Sequence, residues 1–231
     1  MSTFVLIPGA DGRAWYWHRV VPELRARGHE AITVDLPAQD SAGLAEHADA
    51  VAEAIGGRAP GTDAGAGVVL VAQSLAGFIA PLVCERVPVD RLVLLNAMVP
   101  APGESAAEWW AATGHAEARA DLLTRMGRGA DAGFDVRTDF FHDVPPEITE
   151  EALSADEAGP PAALFSRPWP LKRWPDVPTR FLQGRDDRFF PVGFQRRVVR
   201  ERLGLGIEEI PGGHLVALSR PVELVRALLG Q

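Results

Sequence analysis

The sequence predicts an α/β fold, a largely parallel six-stranded sheet with helices on both faces, and three observations carry that expectation. Residues 4–7 and 68–71 are short runs of aliphatic and aromatic side chains with no polar member, the pattern of strands buried on both faces. Segments with apolar residues at helical spacing alternate with such runs. The alternation holds through the first hundred or so residues and resumes after about residue 178, and a regular strand-helix rhythm builds a parallel sheet through helical crossovers.

Taken in order, residues 4–7 form the first strand and run into the loop Pro8-Gly-Ala-Asp-Gly-Arg-Ala14. Trp15, Tyr16 and Trp17 lead into a helix through about Arg27, closed by Gly28. Residues 31–35 are the second strand, and Ser41 is expected to cap the helix carrying Leu44, Ala48, Val51 and Ile55. Residues 56–67, rich in Gly, Pro, Ala and Thr, read as an exposed connection. The strand 68–71 follows, then a helix after Leu75 with Phe78, Ile79, Leu82 and Val83 on one stripe. Pro81 inside that helix predicts a kink or a shorter helix. Strands at 91–96, 179–183 and 206–210 and helices at 193–203 and 221–229 complete the set. Residues 100–177 break the rhythm, with Trp109, Trp110, Phe134, Phe140, Phe141, Phe165, Trp169 and Trp174 among short helical and Pro-rich pieces. They are an insertion that projects from one end of the sheet.

A chain of 231 residues is expected to form one domain, burying roughly 70–75% of its unfolded surface. The formal charge of −8 argues against a nucleic-acid partner, which needs a concentrated basic face. Arg196, Arg197 and Arg200 are interleaved with Glu201 and read as a solvated helix face. The single cysteine, Cys84, excludes an internal disulfide and a cysteine-based metal site, and its place on an apolar stripe predicts a buried structural thiol. The N-terminus has no basic region, and its apolar run is too short for a signal peptide. No run approaches the length of a membrane span, so a cytoplasmic location is the expectation. Oligomeric state stays open, a homodimer included.

The chemistry centres on Ser74. It stands between a buried strand and a helix, with Ala72 and Ala76 two positions away on either side, and a sharp strand-to-helix turn leaves room only for small residues there. The alternative is a serine capping an ordinary helix. A serine hydroxyl needs a histidine to take its proton and a third group to orient the imidazole. Of the six histidines, His214 lies in the glycine loop Pro211-Gly-Gly-His-Leu215 after a strand. His18, His29 and His47 sit on or beside helices, where a surface role is expected, and His115 and His142 lie in the insertion. Asp187, in Gly184-Arg-Asp-Asp-Arg-Phe-Phe-Pro191, is the candidate acid, with Asp186 as its direct competitor. Serine, acid and histidine thus all follow strands at the sheet edge where ligands bind in open α/β folds. The N–H groups of Leu75 and of Ala10, after the first strand, are the expected oxyanion donors.

With these residues in place the chain resembles the α/β-hydrolase superfamily, and within it the small cofactor-free serine esterases that include plant methylesterases and hydroxynitrile lyases. The resemblance runs from Ile7-Pro-Gly-Ala10 and Trp15-x-Trp17 through Ala72-Gln-Ser-Leu-Ala-Gly77 and Phe140-Phe-His-Asp-Val-Pro145 to Gly184-x-x-Asp187 and Gly213-His214. It implies Ser74 as nucleophile, His214 as base, Asp187 as orienting acid, Ala10 and Leu75 as oxyanion donors, no cofactor, and an insertion that forms a lid over the acyl pocket. Relatives usually carry His-Gly at Pro8-Gly9, and His or Glu at Gln73; these positions shape loops. The lyases rely on a lysine after the catalytic histidine and a threonine in the first loop, where this chain has Leu215 and Gly9, so lyase activity is not expected.

The expected function is a serine carboxylesterase acting on a small, largely apolar ester or lactone. Trp110, Phe140 and Phe141 are the candidate substrate-binding residues, although such rings also serve to pack an insertion against a sheet. The same triad serves acyl transfer, C–C cleavage or cyclisation, and a ligand-binding protein on a hydrolase scaffold is the alternative outside catalysis.

Overall fold

The computed structural model describes residues 1–57, 67–154 and 159–231. Six strands, β1 (Ser2–Ile7), β2 (Glu30–Thr33), β3 (Gly67–Gln73), β4 (Arg91–Leu95), β5 (Thr179–Gly184) and β6 (Glu208–Ile210), form one sheet in the order β2-β1-β3-β4-β5-β6. Every neighbouring pair is parallel. The sheet is therefore wholly parallel, and its C-terminal edge gathers the loops after β1, β3, β4, β5 and β6.

Strand alternation divides the core between the two faces. Val5, Ile7, Leu70, Ala72, Leu92, Leu94 and Phe181 point to one side, and Phe4, Leu6, Val69, Val71, Val93, Leu95 and Leu182 to the other. Helices α1 (Val20–Ala26) and α2 (Leu44–Gly56) cover opposite faces, α2 through Leu44, Ala48, Val51 and Ile55. Gly43, rather than Ser41, stands at the start of α2, where its N–H donates to the Glu46 side chain at 2.8 Å. His47, expected at the surface, is buried: its apolar neighbours make it part of the inner stripe, and its Nδ1 bonds the Gly43 carbonyl at 2.7 Å. His18 is exposed as expected, and His29 is half-buried edge-on to Phe4. The connection expected over 56–67 lies, apart from its ends, outside the described residues.

After β3 the chain makes a 3₁₀ turn, Ser74–Gly77, and only then enters α3 (Ala80–Cys84). The single helix expected after Leu75 is thus split. Pro81 takes a place in the first turn of the shortened helix, where its missing N–H has no intrahelical partner to lose.

Between β4 and β5 the insertion supplies α4 (Ala106–Thr113), α5 (His115–Arg125), α6 (Val136–Asp139), α7 (Pro146–Ser154) and α8 (Ala162–Ser166). Two fully buried indoles fasten it to the sheet layer, Trp109 Nε1 donating to the Val99 carbonyl at 3.0 Å and Trp169 Nε1 to the Phe78 carbonyl at 3.1 Å. Helices α9 (Val192–Leu203), α10 (Val216–Ser219) and α11 (Pro221–Leu229) complete the chain. The short α10 directly after His214 was not anticipated, because four residues are too few to show a helical period. Among the described residues no helix is long and apolar enough to cross a membrane.

The turn after β3 is packed to its limit, for a Cβ added at Gly77 would drive into the Met98 carbonyl and lie 3.3 Å from the Ala97 Cβ. Gly77→Ala should therefore lower stability by about 1–3 kcal/mol, the usual cost of overpacking, read as a reduced midpoint in urea unfolding.

Candidate active site

Ser74 follows β3 at φ 53°, a left-handed conformation that non-glycine residues seldom adopt. Strain of this kind costs about 1–3 kcal/mol and persists only where the surroundings dictate it. Here they do. Ala72 and Ala76 are fully buried, and Gly9 from the β1 loop passes so close that a Cβ on it would stand 3.1 Å from the Ser74 Cβ and collide with the Gln73 carboxamide. The turn leaves the Ser74 side chain at the wall of a cavity above the sheet edge.

His214 reaches that hydroxyl from the loop after β6, with Nε2 3.1 Å from Ser74 Oγ. Its Nδ1 lies 2.8 Å from Asp187 Oδ2. A carboxylate only accepts, so Nδ1 carries the proton and Nε2 is left to accept one from the serine. Both partners are almost wholly buried, at 1% and 3% exposure. The Asp187 carboxylate is held on three further sides: Oδ1 accepts the N–H groups of Phe189 (2.8 Å) and Phe190 (2.9 Å), and Gln183 Nε2 stands 3.4 Å from Oδ2. Asp186, its sequence competitor, is exposed and faces Arg185 at 3.8 Å. The ambiguity between the two carboxylates is resolved by burial.

Asn96, directly after β4, ties these loops together. It is fully buried at φ 45°, and its Nδ2 donates to the carbonyls of Gly213 (3.0 Å) and His214 (2.9 Å) while Oδ1 accepts the Gly184 N–H at 2.6 Å. Gln183 likewise satisfies the Gly184 and Phe190 carbonyls. Asn96 directly follows β4 and Gln183 is the penultimate residue of β5, so both polar side chains stand at the C-terminal edge of the sheet.

The cavity holds about 300 Å³ and its walls are mainly apolar. Ala10 and Leu75 flank Ser74 there, and Trp110, Phe140 and Phe141 all line it, joined by Phe165, Phe189 and Leu215. Tyr16 contributes a buried phenol whose titration burial pushes far above its ordinary range, so it stays neutral. Trp174, by contrast, packs on Trp169 away from this space. Among the described residues no group of three or more His, Cys, Asp or Glu side chains is arranged to hold a metal ion.

The alpha/beta hydrolase family matches residues 4–227. The chain belongs to that family. A rice protein (Oryza sativa subsp. indica) named "Probable esterase PIR7A" is 38% identical over 111 residues, which cover 44% of this hydrolase and 41% of the rice protein. A pyrethroid hydrolase of Sphingobium wenxiniae is 28% identical over 254 residues, covering 99% of this chain and 86% of that one. The crystal structure of polyneuridine aldehyde esterase superposes with a TM-score of 0.75 at 21% identity, over 100% of this chain and 98% of the other, which shows the shared fold.

Two outcomes test the packing of this site and of α3 behind it. Asn96→Ala leaves three buried backbone groups without their partner, so stability should fall by about 2–4 kcal/mol in denaturant unfolding. Cys84 is half-buried, donates weakly to the Ala80 carbonyl, and burial pushes its thiol up to about 12, so the thiolate is scarce at neutral pH. Ellman's reagent at pH 8 should leave the native protein unlabelled over minutes and modify Cys84 once it is unfolded.

Proposed function

We propose that this α/β hydrolase is a serine carboxylesterase that cleaves a small, largely apolar ester or lactone. The observation that carries the reading is the relay Ser74 Oγ–His214 Nε2 at 3.1 Å and His214 Nδ1–Asp187 Oδ2 at 2.8 Å, set at the wall of an apolar cavity. In this mechanism Nε2 removes the hydroxyl proton as Oγ attacks the ester carbonyl, and Asp187 stabilises the imidazolium that forms. The N–H groups of Leu75 and Ala10 receive the developing oxyanion, and His214 then gives its proton to the departing alcohol. Water, deprotonated by the same imidazole, releases the acid from the acyl-enzyme. Asp187 is already fixed by two N–H donors before substrate arrives, so little reorganisation accompanies the charge transfer.

Small substrates fit the volume, which lies at the lower end for ligand sites, and apolar ones fit the walls. The relatives named as esterases and hydrolases act in the same sense, and the insertion serves as the lid of that cavity. It brings Trp110, Phe140, Phe141 and Phe165 to the wall of the cavity that Ser74 also lines.

Ser74→Ala should reduce hydrolysis of p-nitrophenyl acetate by about 10⁵–10⁶-fold and abolish labelling by a fluorophosphonate probe. Mass spectrometry should find the probe on Ser74 of the native protein. Hydrolysis at the native rate in the Ser74→Ala protein would remove the serine from the mechanism.

A further inference from the structure

The motif Phe140-Phe-His-Asp-Val-Pro145 lies in the insertion, yet three of its side chains, Phe140, His142 and Asp143, meet the loop that carries the base rather than the substrate space alone. Phe140 lies parallel to the His214 imidazole, with ring centroids 4.7 Å apart and planes inclined by 13°. Asp143 Oδ2 accepts the Gly213 N–H at 2.9 Å, one residue before the histidine. Phe189 and Phe190 meet the same imidazole steeply inclined, at 5.3 Å and 5.2 Å. Phe140 is therefore the ring that covers a face of His214.

Its own position is firmly set. Phe134 and Phe189 pack edge-to-face against it at 4.9 Å and 4.8 Å. The preceding residue, Asp139, is fully buried and paired with Arg119 (2.8 Å) and Arg128 (3.0 Å), while the Phe140 N–H bonds the Val136 carbonyl at 3.0 Å. A face-on benzene ring attracts a cation through its quadrupole, and more strongly where water is excluded. The imidazole is nearly fully buried, and in the proposed reaction it turns from neutral to positive at the moment Ser74 attacks.

We infer that Phe140 is a positioning residue for the base: its ring holds the plane of His214 and favours the imidazolium formed in the transition state. The insertion would then supply part of the catalytic apparatus as well as the pocket wall. This inference rests on the proposed role of His214.

The test is a Phe140 series assayed with p-nitrophenyl acetate and p-nitrophenyl butyrate across pH. Phe140→Leu and Phe140→Met keep bulk without a ring face, and Phe140→Tyr keeps the face. Other titratable and charged groups around His214 are unchanged across the series. Ser74 and Asp187 meet its nitrogens, and His115 packs against Phe189 and Phe190. His142 and Asp143 lie against Gly213, Tyr16 lines the same cavity, and Arg188 reaches the Thr138 carbonyl on α6. Losing the ring destabilises the protonated imidazole, so the acid limb of kcat/KM should move to lower pH by about 0.5–1.5 units. The plateau of kcat should fall by about 3- to 30-fold with KM for the acetate ester unchanged within twofold. Phe140→Tyr should restore both.

If Leu and Met instead change KM in step with acyl length while kcat and the acid limb stay put, Phe140 only lines the substrate and the inference is overturned. An unmoved acid limb and plateau in both variants overturns it equally. Failure of the esterase reading would show separately, as hydrolysis that survives Ser74→Ala.

Discussion

The sheet edge depends on one buried carboxamide. Loops leaving β5 and β6 must be held against the end of β4 with their backbone polar groups out of water, and each such group left unpaired costs about 1–3 kcal/mol. Asn96 satisfies three of them at once, because a flat amide offers two donors and an acceptor in fixed directions. A carboxylate at that position could not donate, and an alanine could do neither. The groups it ties, Gly184, Gly213 and His214, belong to the strand that leads to Asp187 and to the loop of His214. The requirement that buried backbone be satisfied and the requirement that Asp187 and His214 be in register are thus met by the same three hydrogen bonds. Asn is also among the few residues that tolerate the left-handed φ this corner imposes.

Close packing does for Ser74 what hydrogen bonding does for His214. Nothing about a serine favours a φ of 53°, and the conformation survives because every alternative is filled. Gly9 presses on Gln73 and Ser74 from the β1 loop, and Gly77 on the Met98 carbonyl. The same closeness recurs at Gly184, where a Cβ would strike the carbonyls of Gly212 and Gly213. Alanine at positions 72 and 76 is small enough, which explains why a glycine-poor version of the turn still forms.

Much of this was legible in the sequence because it rests on periodicity and on glycine. Each of the six strands overlaps a segment expected to be one, although β6 is shorter than the expected 206–210 and β2 ends before Asp35, and residues 221–229 form a helix over that span, the 3.6-residue pattern of Leu224, Val225 and Leu228 being unambiguous. Ser74, Asp187 and His214 could be placed at one edge because each follows a strand, and parallel strands end on the same side. What was not legible depends on side-chain direction. Asn96 and Phe189 act through contacts between segments far apart in the chain, and no local pattern encodes them. His47 belongs to the buried stripe of α2, yet a histidine at helical spacing looks the same whether it faces water or Gly43. The choice of Gly43 over Ser41 as the helix start turns on the Glu46 side chain reaching back three residues to accept the Gly43 N–H, a contact that a cap preference alone does not reveal.

The insertion is held in two chemically different ways, against the sheet layer and within itself, and the difference bears on what each part can do. Trp109 and Trp169 anchor it by area: large indoles bury apolar surface and spend one N–H each on a carbonyl. Apolar contact is non-directional, so it fixes that the insertion is docked without fixing the angle of any one ring. Within the insertion, at α6, the fastening is ionic and joins one part of it to another. Burial alone would push the Asp139 carboxyl up, but the Asp135 N–H with Arg119 and Arg128 holds it below the usual carboxylate range, so it stays charged and paired. Breaking a buried pair of this kind costs about 3–5 kcal/mol, and its hydrogen bonds have direction. The residue next in the chain is Phe140, whose ring stacks on His214 with the planes inclined by 13°. An apolar anchor suffices to close a pocket; orienting a ring over an imidazole needs the directional one, and that is where the chain has placed its buried charge.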